Sequence, residues 1–155
     1  MTCEPATAIR RALPHEAGAI RDLVRGAYAK WVAVIGREPL PMRADYALAV
    51  HEHEIDLLVI DGSVRGLIET MLRPDHLWIE NVAVLPENQG LGLGRKLLAH
   101  AERKAFEAGR AELRLLTNAA FAANVALYER CGYRVVEREP FMGGITVHMS
   151  KTLGR

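Results

Sequence analysis

The chain changes its periodicity at Pro86, and that change limits the folds open to it. Before Pro86 lie three apolar, β-prone runs, residues 55–60, 64–72 and 77–85, separated by Asp61-Gly62 and by Pro74-Asp75. Turns that short join antiparallel neighbours, so the runs read as a meander. After Pro86 comes a glycine-rich loop, residues 89–94. Leu97, Leu98, Ala101, Ala105 and Ala108 then hold helical spacing up to Gly109, a C-cap signal. A meander that runs into a loop–helix unit is neither all-helical nor a regular alternation of parallel strands and helices.

The flanking segments complete the pattern. Residues 7–13 are β-compatible and are stopped by Pro14. Ala17, Ile20, Leu23, Val24 and Ala27 predict an amphipathic helix over 15–28. Residues 36–41, with two prolines and a glycine, form a loop, and residues 43–51 suit a short second helix. Downstream, residues 113–116 read as a short strand, Asn118 as the cap of a helix running to Cys131-Gly132, and residues 133–138 and 145–149 as two further strands. The expected fold is α+β, one domain over 1–155, with a single mixed, mostly antiparallel sheet of about seven strands flanked by about four helices.

Composition narrows the function classes. Of the 155 residues, 50% are hydrophobic and 25% charged, and 20 Lys+Arg against 19 Asp+Glu leave a net charge of +1. A chain so balanced is not built mainly to neutralise a phosphate backbone, so no nucleic-acid partner is expected. No apolar stretch approaches the ~18 residues of a membrane span, and the N-terminal residues lack a secretory pattern. Cys3 and Cys131 make no disulfide framework and no CxxC. The expectation is a reduced, cytoplasmic domain without a membrane partner.

The loop carries the chemistry. Gly90, Gly92 and Gly94 expose main-chain N–H groups where a helix begins, and first-turn donors at the positive end of a helix dipole suit an anion such as phosphate. A flexible strand-to-helix connection is the plainer alternative. A Walker A loop counted from Gly90 needs glycine at 95 followed by Lys-Ser/Thr, but Arg95-Lys96-Leu97 stand there. A dinucleotide fingerprint also fails at Arg95, and it belongs in an early βαβ unit rather than after a meander. The pattern that fits is Gln-x-x-Gly-x-Gly, met by Gln89, Gly92 and Gly94.

With that loop following Val82-Ala83-Val84-Leu85-Pro86, and with Asn124-Val125-Ala126-Leu127-Tyr128-Glu129-Arg130-Cys131-Gly132-Tyr133 downstream, the chain resembles the GCN5-related N-acetyltransferase superfamily. The resemblance implies acetyl-CoA as acyl donor and co-substrate. Gln89, Gly90, Leu91, Gly92, Leu93, Gly94 and Arg95 would line its pyrophosphate. Val82, Ala83 and Val84 would run beside the pantetheine arm, and Asn124 would contact it. Val82 and Val84 lend backbone groups, because a strand that splays from its neighbour leaves donors that need a partner.

Tyr128 matches the family tyrosine that protonates the departing thiolate, a role a phenol fills because its ordinary pKa is about 10. A packed core aromatic is the alternative. Glu80 is the candidate base or water-orienting group, since it interrupts the apolar run 77–82; exposure on a half-wet strand is its alternative, and Asn81 equally marks a bulge. The implied acceptor is the primary amine of a small molecule. The alternatives are a protein lysine or N-terminus, or a CoA-binding sensor without catalysis. A homodimer through the last strands is implied by resemblance.

His51-Glu52-His53-Glu54 lacks a third ligand at usable spacing and reads as a solvated entry to the second strand, both histidines on one face, so no metal is expected. His76, His100 and His148 look isolated, and Cys131 looks buried and inert. Trp31, Arg37, Glu38, Pro39, Pro41, Met42, Asp45 and Tyr46, with the 141–144 loop, would close over the acceptor.

Overall fold

A computed structural model describes residues 6–154; Cys3 lies outside them. The elements run β1 (Thr7–Arg11), α1 (Ala17–Ile35), α2 (Tyr46–Glu52), β2 (Glu54–Ile60), β3 (Ser63–Leu72), β4 (Leu77–Val84), α3 (Leu93–Glu107), β5 (Glu112–Asn118), α4 (Ala122–Arg130), β6 (Arg134–Phe141) and β7 (Gly144–Thr152). The strands form one sheet in the order β1-β2-β3-β4-β5-β7-β6. Only β4 and β5 pair in parallel; every other pair is antiparallel. This is the mixed α+β sheet the pattern called for.

Each face of the sheet carries its own core. On one side Ile20, Val24 and Tyr28 of α1 and Tyr46 and Ala49 of α2 pack on Ile55, Leu57 and Leu67. On the other, Leu97, Leu98 and Ala101 of α3 and Tyr128 of α4 pack on Leu58, Ile68, Leu77 and Ile79. Burying both faces explains why the central strands read as nearly continuous apolar runs.

Two boundaries differ from expectation. The first helix continues past Tyr28 to Ile35, because Trp31, Val32 and Ile35 extend its apolar face. Asn118 does not cap the last helix. It ends β5, and its Oδ1 accepts from Ala120 N at 2.9 Å, so α4 begins only at Ala122.

His100 is not isolated: with Lys104 of α3 and Arg11 of β1 it donates to buried Asp56 on β2 (2.9, 2.8 and 2.8 Å), fastening helix to sheet. His76 and His148 likewise have partners, Asp75 and Glu139.

Candidate active site

The site is made by one extra residue in β4. Glu69 of β3 pairs with Asn81, while Thr70 pairs with Ile79, so Glu80 is left over as a bulge. A single-residue insertion reverses the alternation of a strand. Leu77 and Ile79 face α3, and beyond the bulge Val82 and Val84 do so. Asn81 and Ala83 turn toward α1, on the same side as Glu80, whose Oε2 accepts from Trp78 Nε1 at 2.6 Å. The parallel ladder to β5 stops at the same point: Ile79↔Leu115 is its last pair. Beyond it β4 and β5 diverge.

The gap leaves backbone donors open. Leu85 N donates to Arg65 O on β3 at 2.9 Å, so strand alternation turns the Val82 and Val84 N–H groups away from β3, into the gap. At the far end the loop reaches α3 with Gly90 at φ +82° and Gly92 at φ +80°, a left-handed conformation that glycine adopts without strain. Of the main-chain amides from Gly90 to Arg95, that of Leu91 closes the turn over Gln89 and Gly90, and the other five have no main-chain acceptor among the described residues. Gly94 lets α4 approach; a Cβ there would stand 2.8 Å from Leu127 Cδ2. The resulting groove of about 570 Å³ is lined by Val82, Ala83, Val84, Gln89, Gly90, Gly92, Leu93, Gly94, Arg95 and Asn124. Buried in its wall, Asn88 Oδ1 has no partner among the described residues.

Not every loop residue meets the groove as expected. The Leu91 side chain is 66% exposed and turns to solvent, leaving only its main chain for a ligand. Gln89 serves as a brace: its Nε2 donates to Val84 O at 2.9 Å, and its Oε1 accepts from Lys30 Nζ at 2.6 Å.

A second cavity, of about 440 Å³, opens on the α1–α2 side. Glu80, Asn81 and Tyr128 line it, with Tyr28, Tyr46, His53, Glu69 and Phe121. Tyr28 OH donates to Asn81 Oδ1 at 2.7 Å, Asn81 Nδ2 donates to Tyr46 Oη at 3.4 Å, and Tyr46 OH donates to Pro41 O at 2.7 Å. That chain of bonds fixes the bulge against both helices. Burial pushes the Tyr28 and Tyr46 phenols above their ordinary value, so both stay protonated at neutral pH.

Tyr128 stands between the cavities. It is 6% exposed, and its hydroxyl bonds to no protein group among the described residues. Burial raises its pKa above the ordinary 10.0, which keeps the proton on the oxygen. Tyr28, Val82 and Tyr128 line both cavities, which therefore meet at these three residues.

The sequence reading missed two features. Glu69 is buried in this cavity at 3% exposure and its Oε2 is 2.6 Å from His53 Nδ1. His53 is thus not a solvated strand residue, and it shares no strand face with His51, which sits on α2. Burial raises the Glu69 pKa, opposed by His53 and assisted by Glu80. A carboxylate within the apolar run 67–72 was the available signal. The second is Phe121, which stacks on Trp31 with ring centres 4.8 Å apart. Trp31 consequently lines the groove and not the second cavity, and Met42 lies in the core. Arg37, Pro39, Pro41, Asp45, Tyr46 and Phe141 do line the second cavity; Glu38 instead pairs with Arg25.

The fold is thus an α+β domain whose central parallel pair splays beside a glycine-rich helix start, with an anion-suited groove between them. The profile of the acetyltransferase (GNAT) family matches residues 19–133, and the chain belongs to that family. It is 37% identical over 76 residues to the ribosomal protein bS18-alanine N-acetyltransferase of Escherichia coli strain K12, a match covering 49% of this chain and 51% of that protein. The matched segment thus spans about half the length of these curated relatives.

Solved structures share the fold. The PaiA N-acetyltransferase of Thermoplasma acidophilum, crystallised with coenzyme A, superposes with a TM-score of 0.82 at 19% identity, over 95% of this chain and 99% of that one. The S18-alanine N-acetyltransferase of Escherichia coli gives 0.78 at 23% identity, over 97% and 96%. Among the described residues no helix is long and apolar enough to cross a membrane.

Proposed function

We propose that the chain is an acetyl-CoA-dependent N-acetyltransferase that moves an acetyl group to the primary amine of a small molecule, by direct transfer in a ternary complex. The observation that carries this is the junction of two cavities at Tyr28, Val82 and Tyr128. The groove with open amides suits the donor, and the cavity with carboxylates suits an amine. When bound, acetyl-CoA supplies an activated thioester.

The main-chain N–H groups of Gly90, Gly92, Leu93, Gly94 and Arg95 donate to its diphosphate, with Leu91 completing the loop and Gln89 holding it to β4. Val82 and Val84 offer N–H donors to the arm and to the acyl oxygen as charge builds there, with Ala83 between them and Asn124 on the opposite wall. Tyr128, protonated and without a hydrogen-bond partner among the described residues, gives its proton to the leaving sulfur. Glu80 takes the proton of the incoming ammonium, directly or through water.

A small acceptor is favoured because Arg37 and Phe141 of the β6–β7 hairpin both line the cavity and meet there, the guanidinium 5.9 Å from the ring centre. A protein N-terminus is the second reading, favoured by the relatives named for acetylating a ribosomal protein. The reaction is proposed to run in the cytoplasm, in a homodimer joined through the β6 edge, and light scattering measures the latter.

Thiol release over an amine panel and a set of test peptides, followed by initial-rate kinetics, tests the proposal. Turnover with intersecting double-reciprocal lines is expected. Parallel lines would refute direct transfer, faster turnover on peptides would favour the protein acceptor, and coenzyme A binding without turnover would leave a sensor.

A further inference from the structure

Resting on that reading, we propose that Glu69, steadied by His53, is the subsite for a second ammonium group on the acceptor, so that the enzyme prefers a diamine or longer polyamine over a monoamine or an amino acid. Glu69 is 3% exposed, and only one of its oxygens is used: Oε2 meets His53 Nδ1 at 2.6 Å. Oε1 has no donor among the described residues. It is not among the sealed, unpartnered oxygens, which are those of Asn88 and Tyr133, so its remaining exposure is to the cavity that Glu69 lines. A buried carboxylate oxygen without a donor is costly unless a ligand supplies one.

Charge and position agree with this assignment. Asp45, Glu52, Glu69 and Glu80 line the cavity against one guanidinium, Arg37, with His53 beside them. Arg37 is turned to the rim, its Nη1 donating to Glu38 O at 3.4 Å. One reacting ammonium needs one of these carboxylates, and an acceptor bearing its own carboxylate would be repelled by the rest. Glu69 pairs across the ladder with Asn81, next to Glu80, so the two carboxylates are neighbours on adjacent strands. Moving away from the gap, Val82 and Glu80 come first and Glu69 lies one strand further in. An amine whose reacting nitrogen reaches Val82 and Tyr128 has Glu69 on the wall of the same cavity, beyond Glu80.

The test compares 1,4-diaminobutane, n-butylamine and 2,4-diaminobutanoate as acceptors at saturating acetyl-CoA, using wild type and Glu69→Gln. Wild type is expected to favour the diamine by about tenfold or more in kcat/KM over both others, the worth of one charge-assisted contact. Glu69→Gln is expected to raise KM for the diamine about tenfold and KM for butylamine less than threefold, with kcat for the diamine falling less than threefold. Equal wild-type kcat/KM for diamine and monoamine overturns the subsite while leaving the acetyltransferase reading intact. Equal losses on both amines in the variant do the same, and so does an amino acid as good as the diamine. Absence of turnover on every amine overturns both. The wild-type comparison decides the matter even if the variant fails to fold.

Discussion

Replacing Gly92 with alanine separates two costs that usually arrive together. Gly92 sits at φ +80°, and a Cβ built on it has no heavy atom within 4 Å. The fold therefore meets the methyl with empty space, and the penalty is that of holding an L-residue in the left-handed region, about 1–2 kcal/mol. Alanine returns about 0.4–1 kcal/mol by restricting the unfolded chain. The net loss of about 0–1.6 kcal/mol lowers Tm by at most roughly 6 °C in a domain of this size.

Binding should suffer more than folding. The same methyl lies amid the open amides of Gly90 and of Gly92 to Arg95. Losing one hydrogen bond to a charged phosphate oxygen costs about 1.5–3 kcal/mol, a weakening of coenzyme A binding by roughly tenfold to a hundredfold. Gly92→Asn is the control, because asparagine tolerates the left-handed region yet still brings a Cβ. Melting curves without ligand should rank Gly, then Asn, then Ala. Calorimetric titration with coenzyme A should find Asn and Ala similarly impaired. If both variants bind coenzyme A as wild type does, the loop amides do not seat the diphosphate and the donor-site argument fails.

Other substitutions probe separate links. Tyr128→Phe should cut kcat about a hundredfold or more while leaving coenzyme A affinity within about twofold. Because the hydroxyl has no protein partner among the described residues, Tm should hold; a collapse of Tm would show a structural role instead. Asp56→Asn should cost about 3 kcal/mol in urea unfolding, the low end for a broken buried pair, since Lys104 keeps Glu54 at 2.8 Å. Burial raises the Asp56 pKa, but bonds from His100, Lys104 and Arg11 outweigh it and hold the carboxyl well below its ordinary value. Its stabilisation is thus complete above the unfolded value of about 3.9 and fades as pH falls toward the folded one, so the variant should flatten the loss of stability below about pH 4. Gly66→Ala brings a Cβ within 2.9 Å of the Ala83 carbonyl oxygen, where backbone must move, and should destabilise the fold by about 1–3 kcal/mol in the same assay.

The sheet was legible because its turns are strong local signals and its strands are short. Asp61-Gly62 needs no tertiary context to be a turn, and the fall of glycines around Leu91 marks a strand-to-helix passage unaided. What escaped depends on partners distant in sequence. The end of α1 at Ile35 is marked locally by Gly36, a left-handed C-cap whose N–H closes on Val32 O, but Phe121 acquires its role only when Trp31, ninety residues earlier, lies flat against it. Glu69 and Glu80 are both acids in apolar runs, yet only Glu80 stands out from the sequence. The two differ in that Glu80 is the bulged residue and exposed, while Glu69 is buried and needed His53 to be seen as a partner. Asn118 followed a sound rule to the wrong bond, because an asparagine before a helix satisfies a turn amide as readily as a helix amide.

The surplus residue in β4 has a consequence for anyone redesigning this scaffold. Deleting Glu80 to regularise the strand would restore even pleating and let the ladder to β5 zip further, and by any criterion of ideal sheet geometry the product would look improved. It would also let the wedge between the two strands close and remove the Glu80 carboxylate from the cavity beside Asn81, although Val82 and Val84 would keep the face they now occupy. Optimisation guided by folding stability alone would therefore erase the site, and β4 should be held fixed in such work as if it were the substrate itself.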